Sequence, residues 1–438
     1  MTADTCYLGF DLGTTNLKAA AVSIDGTVRA VASEGMDYDT DGIKTEFDVE
    51  NFYVKFCLLV KKLIRELPAR AAIEAACISS ASGNAVLLDD KNRPMIPAKS
   101  WLDTSENGET AAVLGNLDPD EIYRRVGWPY HGSFPLAQLC MIKVKRPGLI
   151  EQAAKIAMTS EYINLRLCGA FAMDYSTATT FYLSDQRTKR WHVPYLDALG
   201  VPESKLPALL PVGTMIGEVG RAASAETGLP AGAKVYLGAF DHPSAAYGAG
   251  VTREGLLLLS CGTSWVGFAP VKGRDRVLAA GLLCDPFLEN DGLWGGYFSL
   301  PKAGQRVDAF IETFISNGPD RYDMFNELAA QSAPGAGGLT IDVYGDIPRS
   351  LYDRKKSDVA RACMEGVARL MDQKIKQLGA DGINVGEAVM CGGPSLSPVW
   401  PAIVSETIGK PVRALLYGAH AGAAGAAKIA IATGRKAS

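Results

Sequence analysis

Cysteine pairs, histidine clusters and the common phosphate and nucleophile signatures are missing from this chain. Its 438 residues include nine cysteines but no C-x-x-C pair, which argues against a zinc site and favours free thiols in a reducing compartment over a disulfide framework. The four histidines have no metal-ligand spacing. No GxxxxGK[ST] or GxSxG motif occurs, so neither a P-loop nor a nucleophile elbow is expected.

Excess charge and long apolar runs are missing as well. The net charge of −4 argues against a nucleic-acid partner held through its phosphates, although it does not exclude a small anionic ligand. No window has the roughly 18 apolar residues that a membrane span needs. The nearest, residues 418–434, contains Lys428 and is rich in Ala and Gly, which suits a closely packed internal helix. The N-terminal stretch "MTADTCYLGF" is too short and polar for a signal peptide, so we expect a cytoplasmic protein without a membrane partner.

The patterns that are present predict an α/β protein. Apolar runs joined by tight turns predict a three-stranded antiparallel meander within 7–33. Apolar residues at helical spacing predict a helix over 48–67, with Asp48 as its cap. The other predicted elements are a strand at 71–82, a strand and turn at 85–97, helices near 135–145, 160–168 and 193–199, a strand, turn and helix from 234, and two strands within 255–273. Within 388–412 the pattern predicts a strand, a glycine turn and a helix from about Ser397.

The first hairpin carries more polar groups than its turn requires. An Asp-Gly or Asn-Gly turn would join the strands, yet the stretch "YLGFDLGTTN" places Asp11, Gly13, Thr14 and Thr15 at the tip, with Lys18 behind them. Glycine lets a phosphate approach the backbone, and hydroxyls add donors. Asp11 would then orient Mg²⁺ through water, because Mg²⁺ keeps much of its hydration shell, and Lys18 would add positive charge. The alternative is an ordinary hairpin with a polar tip.

A second hairpin of the same kind lies in the other half of the chain. In "LLLLSCGTSWVGF" a strand is followed by Gly262, Thr263 and Ser264 and then by another apolar strand. This weak internal repeat predicts a duplicated fold with a cleft, in which the two hairpins hold the β- and γ-phosphates of a nucleotide.

Asp241 is the candidate catalytic carboxylate. In "GAFDHPSAA" it follows a predicted strand and precedes a helix of small residues, where it can take a proton from a hydroxyl that attacks phosphorus. The helix N-terminus adds partial positive charge near developing anions. His242 is interpreted as a supporting or substrate-contacting residue. The alternative is that Asp241 only caps the helix.

Three further stretches are weak signals alone. Gly392 and Gly393 form a turn between strand and helix that would give a flat adenine ring access to the backbone, and Gly304 precedes another helix. Trp101 and Asp103 combine an aromatic ring, which packs on C–H faces, with a carboxylate that binds hydroxyls, as a polyhydroxy substrate requires. The alternatives are a plain turn and a half-buried surface tryptophan.

Together these motifs resemble the FGGY carbohydrate kinases. The matching stretches keep the family's order over nearly the whole chain: "GFDLGTTNLKAAAV", "WLD", "GAFDHPSAAYGAG", "LSCGTSWVGF", "PKAGQRVDAF", "ARACMEGVARL" and "CGGPSLSPVWPAIVSETIGKPV". The resemblance implies a two-domain, duplicated ribonuclease H-like (actin-like ATPase) α/β fold with an interdomain cleft. It implies a sugar-kinase domain at 1–245, with the sugar site and first phosphate hairpin, and a nucleotide-binding domain at 246–438.

The resemblance also implies an activity and a role for each candidate residue. The activity is phosphorylation of a sugar or polyol hydroxyl by ATP and Mg²⁺, with a pentulose such as xylulose as the first candidate. Asp241 is similar to the general base and Asp11 to the Mg²⁺-orienting carboxylate. The implied nucleotide contacts are Gly13, Thr14, Thr15, Lys18, Gly262, Thr263, Ser264, Gly304, Gly392, Gly393 and Ser397, and the implied sugar contacts are Trp101, Asp103, Asp241 and His242. Many members of the family close their domains to exclude water and form homodimers, so the resemblance implies both.

The sugar pocket departs from the common pattern. Many members that act on xylulose carry Gln-Met-His where this chain has Ala81, Ser82 and Gly83. Many members of the family also have an Arg shortly after the position of Asp103, where this chain has Thr104 and Ser105. Another ketose, a deoxysugar or a tetritol is therefore an alternative acceptor. Two other classes stay open: an actin-fold protein that cycles nucleotide without a sugar substrate, and a family member that senses a sugar without phosphorylating it.

Overall fold

The computed structural model describes residues 5–287, 292–346 and 349–437. The chain forms two compact units, of which the first comprises Met1–Gly248, Leu283–Glu289 and Gly422–Ser438 and the second comprises Ala249–Leu282 and Asn290–Ala421. Each unit contains a mixed β-sheet with helices packed on it.

The strands and helices within the described residues are numbered in chain order. The strands are β1 (Thr5–Leu12), β2 (Asn16–Ser23), β3 (Val28–Gly35), β4 (Asp39–Thr40), β5 (Thr45–Phe47), β6 (Ala72–Ser80), β7 (Val86–Leu88), β8 (Ala98–Lys99), β9 (Lys155–Ala157), β10 (Ala172–Asp174), β11 (Ser184–Asp185), β12 (Arg190–Trp191), β13 (Ala208–Leu210), β14 (Met215–Glu218), β15 (Lys234–Phe240), β16 (Gly255–Cys261), β17 (Trp265–Lys272), β18 (Leu283–Asp285), β19 (Leu293–Leu300), β20 (Val385–Gly392) and β21 (Val412–Ala414). The helices are α1 (Val49–Arg65), α2 (Glu109–Leu114), α3 (Pro119–Val126), α4 (Pro135–Lys145), α5 (Leu149–Gln152), α6 (Thr159–Cys168), α7 (Tyr175–Phe181), α8 (Val193–Leu199), α9 (Arg221–Thr227), α10 (Asp241–Gly248), α11 (Arg274–Ala279), α12 (Ala303–Phe314), α13 (Arg321–Ala330), α14 (Lys356–Ala380), α15 (Trp400–Ile408) and α16 (Ala421–Ala437).

The main sheet of the first unit has the strand order β14-β15-β6-β1-β2-β3. Strands β1, β2 and β3 form the antiparallel meander that the turn chemistry predicts, and β6 and β15 continue the sheet in parallel with β1. Central strand β1 is buried over nearly its whole length, as a strand covered on both faces must be.

Helix α1 covers this sheet because its apolar residues fall on one side. Phe52, Phe56, Leu59 and Leu63 are buried against the sheet at helical spacing. The predicted cap is confirmed, since the Asp48 carboxylate accepts a hydrogen bond of 2.7 Å from the backbone N–H of a residue in the first turn.

The small-residue helix α16 returns to the first unit. A β-carbon at Gly9 on β1 would overlap the carbonyl oxygen of Ala423, and one at Gly425 would overlap that of Ser244 on α10. Glycine therefore lets α16 approach β1 and α10 backbone to backbone, which confirms the interpretation of 418–434 as a closely packed internal helix.

The second unit repeats the sheet arrangement of the first. It contributes five strands in the order β19-β17-β16-β20-β21, with antiparallel pairs β19–β17 and β17–β16 and parallel pairs β16–β20 and β20–β21. The order β3-β2-β1-β6-β15 in the first unit has the same sequence of antiparallel and parallel pairs. The two hairpins β1–β2 and β16–β17 are therefore equivalent, which confirms the predicted duplication.

Three predicted boundaries need correction. The helix expected from about Ser397 begins at Trp400, because Gly393–Leu396 form a 3₁₀ turn first. No turn separates β15 from α10, so Asp241 is the first residue of the helix. Gly304 is the second residue of α12 rather than a residue before it.

Candidate functional site

Asp11 is a buried carboxylate, and one of its oxygens has no hydrogen-bond partner within the described residues. It lies near the end of β1, opposite Lys18 on β2 and Ser79 on β6. The described residues offer Asp11 Oδ1 no hydrogen-bond partner, and a β-carbon at Gly422, in the first turn of α16, would lie 2.7 Å from Oδ2. Burial raises the pKa of Asp11 to about 7, the Lys18 ammonium opposes this rise, and Asp241 adds to it. A buried carboxylate oxygen without a partner fits a hydrated cation.

The tip of the first hairpin is bonded to the predicted sugar contact. The Trp101 indole N–H donates to Thr14 Oγ1 at 2.8 Å, and the Tyr38 hydroxyl donates to the Thr14 carbonyl at 2.7 Å. Gly13 lies beside them, and the Thr15 side chain is exposed. Trp101 and Thr14 line a cavity of about 20 Å³ with Ala81 and others. The Thr14 hydroxyl accepts from the indole, so its own proton is directed elsewhere and is available to a ligand.

Asp103 is buried and holds the turn that carries Trp101. Its Oδ2 accepts from the Thr45 N–H at 2.9 Å and the Lys99 ammonium at 2.8 Å, and its Oδ1 accepts from the Ser105 N–H and hydroxyl at 3.0 and 2.5 Å. Burial alone would raise the pKa of Asp103, but the hydrogen bonds from Lys99 and Ser105 bring it below its usual value. Four bonds occupy the lone pairs of the carboxylate.

Asp241 lies where β15 becomes α10. Its carboxylate is half-buried and accepts a 2.7 Å hydrogen bond from the His242 N–H. The preceding N–H, that of Phe240, donates to the Ser176 hydroxyl at 3.1 Å, and this hydroxyl donates to buried Asp285 at 2.9 Å. These bonds fix the strand end and therefore the direction in which Asp241 leaves it.

A row of aromatic rings that motif reasoning missed leads from Phe134 to His242, which follows Asp241 in the chain. Phe134 packs on Trp128 at 6.1 Å between ring centroids, Trp128 packs on Phe240 at 5.6 Å, and the His242 ring packs on Phe240 at 5.7 Å. Phe134 and Trp128 come from the segment before α4, where no family motif was recognised. The only signal in the sequence was the aromatic content of "GWPYHGSF".

In the second unit, predicted nucleotide residues surround one cavity of about 490 Å³. Gly262, Thr263, Gly304, Gly393 and Ser397 line it. The other lining residues are Cys261, Trp265, Val307, Asp308, Ile311, Tyr322, Asp323, Phe325, Asn326, Pro394, Leu396, Pro398 and Trp400. The size and the mixed apolar and polar lining suit a nucleoside.

Glycine is required where the second hairpin meets its neighbours. A β-carbon at Gly304 would overlap the carbonyl oxygen of Gly262, and one at Gly392 would overlap that of Cys261. Gly392 also has a φ of 93°, a backbone conformation that residues with a β-carbon rarely adopt. The three segments can converge around the cavity only because these positions lack side chains.

Two serines of the predicted nucleotide set have structural partners. Ser397 accepts from the N–H groups of Val399 and Trp400 at 3.2 Å each, so it caps the start of α15, and it donates to Asn326 at 2.8 Å. Ser264 accepts from the Lys302 N–H at 2.9 Å. The Ser397 bond orients the Asn326 amide at the cavity, and no motif indicated that residue.

Comparison with known proteins identifies the family. The N-terminal domain of the FGGY family of carbohydrate kinases matches residues 6–248, and the C-terminal domain of that family matches residues 327–433. The chain belongs to the FGGY family of carbohydrate kinases. It is therefore a sugar phosphotransferase, and because FGGY kinases take their phosphoryl group from ATP, the family implies that this kinase binds ATP.

Named relatives of the kinase differ in substrate. It is 25% identical over 382 residues to a gluconokinase of Bacillus licheniformis, covering 82% of this chain and 74% of the relative. It is 26% identical to an autoinducer-2 kinase of Klebsiella pneumoniae, covering 93% and 82%. The structure of a xylulose kinase from Rhodospirillum rubrum is similar with a TM-score of 0.83 at 24% identity, covering 98% and 90%. That likeness shows the duplicated actin-like ATPase fold of the family.

The described residues contain neither a helix suited to a membrane nor a cluster of metal-ligating side chains. None of the helices within them is long and apolar enough to cross a membrane. No group of three or more His, Cys, Asp or Glu side chains that could hold a metal occurs among the residues the structure describes.

Proposed function

We propose that this kinase transfers the γ-phosphoryl group of ATP to a hydroxyl of a small sugar or polyol, with a pentulose such as xylulose as the first candidate. The observation that carries the proposal is the position of Asp241 at the strand end, in the unit that also holds Trp101 and Asp11. The acceptor oxygen forms a bond to phosphorus while the bond from phosphorus to the β–γ bridging oxygen breaks, and the acceptor proton passes to Asp241.

The first unit is proposed to bind the acceptor. Trp101 offers a partly exposed ring face, 37% accessible, to the C–H groups of the sugar. Asp103 contacts the sugar only by exchanging one of its present bonds, so its main contribution is to hold Trp101 in place. His242, next to the base, contacts the hydroxyls beside the reacting one.

The hairpins are proposed to bind the phosphates. Gly13, Thr14 and Thr15 present backbone N–H groups and hydroxyls on one side, and Lys18 adds positive charge. Asp11 fits Mg²⁺ because one of its buried oxygens lacks a partner in the described structure. Mg²⁺ would be held through water and the nucleotide phosphates, and when bound it neutralises charge on the transferring group.

The cavity of the second unit is proposed to bind the nucleoside, with Gly262, Thr263 and Ser264 at the phosphate end. Gly304, Gly392 and Gly393 give the base access to the backbone, and Ser397 acts through the Asn326 amide that it orients. Nine thiols without a disulfide fit a reducing cytoplasm, and a homodimer is the assembly to test.

A substrate panel tests the proposal. ADP release is measured with xylulose, ribulose, other ketoses, deoxysugars, tetritols and gluconate, and the phosphorylated product is identified by NMR. Asp241→Asn should lower kcat by roughly 10²- to 10⁴-fold on any accepted substrate. The matched control is Asp197→Asn, an exposed carboxylate on α8 of the same unit, which should keep full turnover. Unchanged turnover by the Asp241 variant would refute its role as base.

A further inference from the structure

The strand that leads to Asp241 ends irregularly. β15 pairs in parallel with β6, but the register shifts between Leu237 and Phe240. A β-carbon at Gly238, within this irregular stretch, would overlap the carbonyl oxygen of Ile78 on β6. Irregularities of this kind interrupt the ladder of backbone hydrogen bonds and change the direction of the side chains that follow. The position of Asp241 therefore depends on the contacts that hold Phe240, the residue before it.

The residues that hold Phe240 belong to a distant part of the chain. The segment Leu283–Glu289 is part of the first unit, although residues of the second unit flank it in the sequence. Within this segment Cys284 and Asp285 are fully buried. The Cys284 N–H donates to the Gly127 carbonyl at 2.8 Å, and a β-carbon at Gly127, whose φ is 80°, would lie 2.9 Å from Cys284 Cβ. Glycine at this position therefore lets the segment pack against the first unit.

Asp285 holds the backbone of Phe240 through one hydroxyl group. The buried Ser176 hydroxyl donates to Asp285 Oδ2 at 2.9 Å and accepts from the Phe240 N–H at 3.1 Å. A hydroxyl has a single proton, and because that proton is given to Asp285, the lone pairs are left for the Phe240 N–H. Asp285 therefore fixes which way the Ser176 hydroxyl points.

Cys284 holds the ring of Phe240 through Trp128. The Cys284 carbonyl accepts from the Trp128 indole N–H at 3.1 Å and from the Gln186 amide at 2.8 Å. The Trp128 ring packs edge to face on the Phe240 ring, with 5.6 Å between the centroids and 80° between the planes. Such a pair keeps its geometry only while both rings stay in place. Two neighbouring residues thus hold the backbone and the side chain of Phe240.

We propose that Cys284 and Asp285 are positioning residues for the reaction, which set where the Asp241 carboxylate meets the acceptor hydroxyl. The inference rests on the proposed function and deepens it, because it adds residues outside the two stretches, 6–248 and 327–433, that match the family's domains. A displacement of the base by about 1 Å is enough to slow proton transfer by roughly a hundredfold.

A double-mutant cycle on the whole chain tests the proposal. Ser176→Ala removes the hydroxyl between Asp285 and Phe240, so kcat on an accepted substrate should fall roughly tenfold or more while the KM for ATP stays unchanged. In the Asp241→Asn background the same substitution should change kcat by no more than about twofold, because the remaining turnover no longer depends on where the base lies. Equal losses in both backgrounds overturn the inference but leave the proposed function intact. Full turnover by Asp241→Asn alone, or no turnover of any acceptor by the unaltered kinase, overturns both.

Further variants test the two positioning residues separately. Asp285→Ala removes the acceptor of the Ser176 proton and should lower kcat, whereas Asp285→Asn keeps an oxygen acceptor and should stay within about threefold of the wild type. Cys284 acts through its backbone carbonyl, so Trp128→Phe, which keeps a ring but removes the N–H, should lower kcat several-fold and only while Asp241 is present. Equal losses for the two Asp285 variants would contradict the role of the hydrogen bond.

Ser184→Ala is the matched control for the loss of a buried hydroxyl. The Ser184 hydroxyl is buried in the same unit and donates to the Ala178 carbonyl at 3.0 Å. This variant should lose stability as Ser176→Ala does but keep its kcat, and an equal loss of kcat would show that any buried serine has this effect. If Ser176→Ala does not fold, the variants of Asp285 and Trp128 decide the question.

Discussion

Replacing Asp11 by Asn should change how the stability of the kinase depends on pH. The Asp11 pKa rises from 3.8 to about 7 because the carboxyl is buried. The folded chain therefore keeps a proton that the unfolded chain has already lost, and stability present below the unfolded pKa is lost as the pH rises through 7. At about 1.4 kcal/mol per pKa unit, the full effect is about 4 kcal/mol, of which about 2.5 kcal/mol falls between pH 5 and pH 8.

Urea unfolding of both proteins between pH 5 and pH 8 measures this effect. Asn is a neutral isostere whose charge does not change with pH. The unfolding free energy of the variant minus that of the wild type should therefore increase by about 2.5 kcal/mol from pH 5 to pH 8. Exposed Asp90→Asn controls for the loss of one charge and should run parallel to the wild type. Magnesium together with a non-hydrolysable ATP analogue at pH 8 should stabilise the wild type more than the Asp11 variant, since a ligand stabilises only the state that binds it. A pH-independent difference between wild type and variant would refute the reasoning.

Three further substitutions test the packing and the bonds around the site. Gly425→Ala puts a methyl group into a neighbouring carbonyl oxygen and should lower stability by about 3 kcal/mol in thermal unfolding, whereas Gly379→Ala on α14, where no atom lies within 4 Å, should be neutral or stabilising. Trp101→Phe keeps a ring but removes the N–H that orients Thr14, so the KM for ATP should rise several-fold at unchanged stability; an unchanged KM would rule out that orienting role. Asp103→Asn removes the charge-assisted hydrogen bond between Lys99 and Asp103 and should lower the free energy of unfolding by about 1–3 kcal/mol. The KM for the acceptor should also rise.

The sequence was most informative where local chemistry determines structure. Turn residues and apolar runs predicted both hairpins and the helix capped by Asp48, because these depend on neighbours in the chain. The place of Asp241 after a strand was predicted for the same reason. Such features need no knowledge of distant residues.

The sequence was least informative where partners come from far along the chain. The rings of Trp128 and Phe134 meet each other and Phe240 only through tertiary packing, and no spacing rule connects them to the end of β15. Asn326 lies at the nucleoside cavity because α13 folds over it, and its helix was not predicted. The 3₁₀ turn that delays α15 is a short-range effect, but a Gly-Gly-Pro stretch admits several turn geometries.

Because α16 lies at the end of the chain, the environment of β1 is completed only late in synthesis. β1 leaves the ribosome early, but the helix that covers Gly9 and lies against Asp11 follows roughly 400 residues later, which at 5–20 residues per second is on the order of 20–80 seconds. During that interval β1, which carries Asp11, lacks the helix that packs on it. A nascent chain that already contains both hairpins therefore still lacks the buried environment that sets the Asp11 pKa, so nucleotide chemistry has to wait until synthesis reaches α16.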